Sequence, residues 1–243
     1  MSGHSKWSTI KRKKGEADAK RGKIFTKIGR EIAVAVKEGG ADPDTNTKLK
    51  DAIAKAKANN MPNDSITRSI KKAAGEGNTN NFEDIIYEGY GPNGVAVIVE
   101  TLTDNRNRTA ADMRHFFDKY GGNLGTSGCV MFMFEQKGVL IIENDGKTSE
   151  EKLIEDALIA GADDVEVHEE YFEVTTSPGE FSNATDVLEQ AGYAFEHAQI
   201  QYVPQTQVKL TDENDLTQIV KLIDRLEDCD DVQAVWHNWE EEE

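Results

Sequence analysis

Near residue 78 the apolar pattern of this chain changes period, and that switch limits the folds open to it. Before it, hydrophobic residues recur every three or four positions; beyond it they alternate. Ile24, Phe25, Ile28, Ile32 and Val36 share one side of a helix expected over residues 18–37, which Gly39 and Gly40 end. A second helix is expected over 46–58, with Leu49, Ile53 and Ala56 inward. After the break "NNMPND", a third over 63–74 buries Ile66, Ile70 and Ala73, and "AAGEGNTNN" is a linker. Three short amphipathic helices make a small bundle.

Beyond the linker, "FEDIIYEGYG" and "GVAVIVETLT" read as two strands joined by the turn at Gly91–Gly94. A helix over 108–119, the loop "GGNLGTSG" and an apolar strand Val130–Phe134 follow. Next come a strand (139–143), a helix (150–160), two strands (164–168 and 171–176), a helix (180–191) and a strand (198–203). That order, β-α-β-β-α-β, is the ferredoxin-like split unit. A strand near 207–210, a helix over 213–228 and the strand "VQAVWHNW" would complete the sheet begun at 82–134. The expected class is α+β, an N-terminal three-helix domain followed by two ferredoxin-like α/β domains, one inserted into the other. The boundaries are 1–77 for the helical domain with its arm, 78–134 plus 205–243 for the discontinuous α/β domain, and 135–204 for the insert.

Charge follows the same division. Residues 1–77 hold 18 Lys and Arg against 9 Asp and Glu, a net of +9. Residues 78–243 hold 10 against 36, a net of −26, and the two sum to the −17 of the whole chain. Such asymmetry points to a polyanion-binding arm on an acidic body that itself repels nucleic acid. Within the arm, Lys6, Trp7, Lys11, Arg12, Lys13 and Lys14 combine positive charge with one flat aromatic able to stack on a base, or to dock on the bundle instead. Further along, Lys20, Lys23, Lys27 and Arg30 fall at i, i+3, i+7 and i+10, with Arg21 beside them. At about 100° per residue this stripe lies away from the Ile24/Ile28/Ile32 face, so the helix can pack inward and turn a row of cations outward. These residues are the candidate nucleic-acid contacts, against the alternative of a solvated charged helix.

The segments "GHSKW" (3–7), "DAKRGKIFTK" (18–27), "NNMP" (59–62), "YEGYGPNG" (87–94), "DNRNRT" (104–109), "GGNLG" (121–125) and "EDCDDVQ" (227–233) resemble the YebC/PmpR family, in order along nearly the whole chain. The resemblance implies a three-domain, cytoplasmic, non-enzymatic regulator of gene expression. Members are described both as DNA-binding transcriptional regulators and as ribosome-associated translation factors that help at difficult peptides such as proline runs; a mitochondrial relative activates translation of a cytochrome oxidase subunit. Reading duplex DNA by a helix-turn-helix requires a second helix with base-reading side chains. "TKLKDAIAKAKANN" and "NDSITRSIKKAAGEG" are rich in Lys and Ala, with little bidentate chemistry beyond Arg68. A flexible Lys/Arg/Trp arm suits irregular RNA, so ribosomal RNA is the leading expectation and DNA the alternative, for a protein acting as a monomer without a membrane partner.

Other constellations are weaker. Arg106 and Arg108, beside Asn105 and Asn107 at a helix entrance, are a secondary anion or RNA-phosphate candidate. Equally, Asp104 or Asn107 caps the helix while the arginines pair with carboxylates. "GGNLGTSG" lacks the Lys and Ser/Thr of a P-loop and follows a helix, so it reads as a helix C-cap and turn. His4, His115, His168, His197 and His237 are scattered, and Cys129 and Cys229 lie 100 residues apart with no ligand or redox spacing. No catalytic residue, metal or cofactor is expected. No run of eighteen apolar residues is present for a membrane-spanning helix, and the polar N-terminus is unlike a secretory signal.

Overall fold

The computed structural model describes residues 22–75 and 81–240, which group into two compact units. The first contains helices α1 (22–39), α2 (Thr47–Ala58) and α3 (Asn63–Ala74), strands β1 (Glu83–Tyr90) and β2 (Ala96–Thr103), helix α4 (Arg106–Lys119) and the short strand β3 (Asn123–Leu124). After the second unit the chain returns to it with helix α7 (Glu213–Glu227) and strand β8 (Val232–His237). The architecture is α+β, an N-terminal helical region followed by two antiparallel sheets with their helices.

The three helices close on Ile28, Ile32, Leu49, Ala56 and Ile66, with Ile24, Phe25, Ile53, Ile70 and Ala73 partly buried around them. Asn46 fixes the α1–α2 corner. Its side chain accepts a hydrogen bond from the Leu49 amide and donates to the carbonyls of Ala35 (2.7 Å) and Gly40 (2.8 Å). The chain can turn there because Gly39 has no Cβ to meet the Asn46 amide, 2.7 Å away, and Gly40 takes φ +88°.

The sheet of this unit runs β3-β1-β2-β8, all antiparallel. Strand β2, AVIVETLT, is buried at every position except Glu100, which is why its first half, AVIV, is a continuous apolar run rather than an alternation. The β1–β2 connection is a tight turn, Pro92–Gly94, with Asn93 and Gly94 at φ 51° and 78°. Helix α4 packs over β1 so closely that a Cβ on Gly89 would stand 2.7 Å from the Phe117 ring.

The second unit carries strand β4 (Phe134–Glu143), helix α5 (Glu150–Ile159), strands β5 (Asp164–Val167) and β6 (Tyr171–Thr176), helix α6 (Phe181–Gln190) and strand β7 (Phe195–Pro204). Its sheet order is β5-β6-β4-β7, antiparallel throughout, which is the split β-α-β-β-α-β arrangement. Leu140, Ile142, Phe172 and Val174 bury against Leu153, Ala157, Ala184 and Leu188 of the two helices. The ends of this unit are neighbours, since Phe134 pairs with Pro204 and the Gln205 amide bonds the Met133 carbonyl at 2.9 Å.

Two expected strands are corrected. Residues 130–134 are not a strand: Met131–Met133 form a 3-10 turn and β4 begins at Phe134, earlier than the alternating pattern indicates. The stretch 207–210 contributes only an isolated bridge, Val208 to Trp239, and joins neither sheet.

Candidate nucleic-acid interface

Lys6, Trp7, Lys11, Arg12, Lys13, Lys14, Lys20 and Arg21 lie outside the described residues. Lys23, Lys27 and Arg30 are described; Lys23 is exposed, and the expectation that the row faces solvent is corrected for Lys27 and Arg30, which are partly buried. They meet the C-terminal end of α7 and the acidic residues after it. Lys23 Nζ lies 3.0 Å from Asp228 Oδ1 and 3.3 Å from the Asp228 carbonyl. Lys27 Nζ donates to the Glu227 carbonyl at 2.7 Å, and burial, opposed by nearby acids, holds its pKa below the ordinary lysine value. Arg30 donates to Asp231 Oδ1 (2.7 Å) and to the carbonyls of Asp230 (2.8 Å) and Leu102 (3.2 Å).

The physical reason lies in α7. Glu227, Asp228, Asp230 and Asp231 cluster at a helix C-terminus, where the macrodipole and the orphan carbonyls already concentrate negative charge. Cations are needed there, and the stripe on α1 provides them. Helix α1 is therefore used on two sides, one for the helical core and one for the end of α7.

Asp231 is the hub of this contact. While Oδ1 takes Arg30, Oδ2 accepts from Arg108 (2.8 Å), Thr109 (2.8 Å) and Thr103 (3.3 Å). Burial alone would raise its pKa, but the hydrogen bonds from Arg108, Arg30 and Thr109 outweigh this and hold the carboxyl below its ordinary value. Arg108 also pairs with Asp104 at 2.9 Å. Its commitment to two carboxylates corrects the reading of Arg106 and Arg108 as a joint anion site. The helix cap is neither of the two residues expected; Asn105 accepts from the Arg108 amide at 3.1 Å. Arg106 is exposed, one turn from the hub. An open depression of about 340 Å³ beside the hub is lined by Arg30, Arg108 and Cys229 together with Asp104, Asp112, Asp230 and Asp231. Four carboxylates against two guanidiniums make it a poor place for a phosphate.

The loop "GGNLGTSG" behaves as a helix end: Gly121 takes φ +77° and the Gly122 amide bonds the Phe117 carbonyl at 2.9 Å. Its distal part is held by Glu88, buried to 3% exposure, which accepts from the amides of Gly128 (2.6 Å), Val130 (2.9 Å) and Met131 (2.8 Å). Those amides are satisfied by a carboxylate and are not open to a ligand.

Other cations of the helical region are paired too. Lys48 meets Glu38 and Lys55 meets Glu31, each at 2.6 Å. Lys37 bonds the Asn81 side chain and Lys57 is exposed without an ion pair among the described residues, but α3 carries three such cations together. Arg68, Lys71 and Lys72 are exposed and, among the described residues, make no ion pair. Sequence reasoning noticed only Arg68. The available signal was the spacing i, i+3, i+4, set against Ile66, Ile70 and Ala73 on the opposite side.

Comparison with known proteins agrees with this organisation. Residues 5–76 match the family model described as the TACO1/YebC protein N-terminal domain, and residues 82–239 match that of the TACO1/YebC second and third domain. A protein of Acetivibrio thermocellus named "Probable transcriptional regulatory protein" is 60% identical over 239 residues, covering 98% of this chain and 99% of the relative. One of the same name from Finegoldia magna is 57% identical across the full length of both. A crystal structure of a conserved hypothetical protein from Aquifex aeolicus superposes with a TM-score of 0.83 at 47% identity, covering 94% of each chain. With both family models matched in order over nearly every residue, the chain belongs to the TACO1/YebC family.

Proposed function

We propose that the protein is a cytoplasmic regulator of gene expression without chemistry of its own, holding nucleic acid through its first 77 residues. The observation that carries this reading is the segregation of charge, +9 on residues 1–77 against −26 on residues 78–243. A polyanion meets attraction on one segment and repulsion from the other, so it is oriented as well as bound. The relatives' name, probable transcriptional regulatory protein, favours DNA as the target. The proportions of the helical region support that: two twelve-residue helices, α2 and α3, are joined by residues 59–62, with Asn60 at φ 56° in the turn.

A second reading, a translation factor on ribosomal RNA, is favoured by a different observation. Across α2 and α3, Arg68 is the one arginine able to fork onto a base edge, which limits sequence reading of a duplex by a helix-turn-helix and leaves irregular RNA as the second target. On that reading the α/β domains position the protein near bound RNAs and assist difficult sequences such as proline runs.

Two measurements on the full-length protein separate these readings. Cell lysate on a sucrose gradient at low and moderate salt reports ribosome association, and chromatin immunoprecipitation with sequencing reports DNA occupancy. Enrichment at promoters with the protein at the top of the gradient supports transcription as the site of action. Salt-sensitive co-migration with ribosomes without promoter enrichment supports translation. A protein found on neither, with no salt-dependent affinity for purified DNA or RNA, would sink the nucleic-acid reading altogether.

A further inference from the structure

We propose that the outward face of α3, formed by Arg68, Lys71 and Lys72, grips the phosphate backbone of double-stranded DNA. On the same inference, Lys23, Lys27 and Arg30 of α1 dock the helical region and do not touch the DNA. The inference rests on the DNA reading above and identifies which part of the helical region makes the contact.

Three observations carry it. The first is orientation. At about 100° per residue, Arg68, Lys71 and Lys72 centre roughly opposite Ile66, Ile70 and Ala73, the side of α3 that enters the core. The three cations therefore share one exposed side within a single helical turn. The second is the absence of local neutralisation. Lys23, Arg30, Lys48 and Lys55 each have a carboxylate within 3.0 Å, whereas the α3 trio has none among the described residues. The third is the use already made of α1, whose cations bind the Glu227 and Asp228 carbonyls and the Asp228 and Asp231 carboxylates.

A structural role accounts for part of the trio. Lys71 and Lys72 stand in the last turn of α3, where cations complement the helix dipole. That role is indifferent to which side of the helix they occupy, and it does not extend to Arg68, a turn earlier. Phosphate recognition requires all three on one side, exposed and unpaired, which is the arrangement present.

The test uses full-length protein and a fluorescein-labelled 30-base-pair duplex of mixed sequence, with anisotropy titrations at several salt concentrations. The charge-neutral variant R68Q/K71Q/K72Q is expected to bind at least tenfold more weakly than wild type, with a melting temperature lowered only by the small dipole contribution of Lys71 and Lys72. Its log affinity against log salt should be shallower by about 2–3, near 0.9 for each phosphate no longer neutralised. The K23Q/K27Q variant is expected to lower the melting temperature while leaving the salt slope as it is. Wild-type binding with a steep slope, retained in full by the α3 variant, would overturn the inference and leave the DNA reading standing. A wild type that ignores the duplex at low salt would overturn both. Binding confined to a matched RNA hairpin through the same three residues would overturn the assignment to DNA.

Discussion

Asp231 receives four side-chain hydrogen bonds, two from guanidiniums and two from threonines, while only 5% of the residue is exposed. Removing its charge would leave Arg30, whose side chain is 19% exposed, facing a neutral partner in a half-dry contact. Asp231→Asn is therefore expected to cost about 3 kcal/mol at neutral pH, measured by urea denaturation. The sign of its pH dependence follows from a folded-state pKa held below 3.8. Stability from the carboxylate is fully present above the unfolded value and is lost as pH falls through the folded one. The gap between wild type and variant should thus be constant near pH 7 and narrow below about pH 4. None of this hub was legible in the chain. Spacing placed Lys23, Lys27 and Arg30 on one stripe, but the acids that claim Arg30 and Lys27 lie about 200 positions away. The one local clue was acid at the wrong end of α7.

Helices and strands were legible where one period persisted for several turns or pleats. Helices α2 and α3 fall within a residue of their expected ends, because Asn46 caps one and Pro62 opens the other. The failures came where a distant side chain overrides local preference. "VMFMF" has the composition of a strand, yet Glu88 draws the amides of Val130 and Met131 to its carboxylate and bends the chain into a 3-10 turn. Glu88→Gln would set an amide N–H against one of those donors. It is expected to cost about 2 kcal/mol and to expose Cys129, in the held loop, to a thiol reagent at a rate faster than wild type.

For the molecule as a whole, the α+β class and the inserted unit were readable because the ferredoxin-like order of elements is itself informative. The spatial order of strands in the other sheet was not, since β8 arrives after the insertion. Pairing of Phe134 with Pro204 brings the ends of the second unit together. A fragment covering 132–209 is therefore expected to fold alone, with dispersed amide resonances and one cooperative unfolding transition; a collapsed spectrum would show that it needs the rest of the chain.

The separation between Arg30 and Asp231, 201 positions, also has a meaning in time. A ribosome adding roughly 5–20 residues per second delivers the second partner some 10–40 seconds after the first. Throughout that interval a nascent chain displays its cations without the acids that later occupy them. The contact between α1 and the end of α7 therefore closes only when synthesis is nearly complete, which makes it a late event in folding on the ribosome.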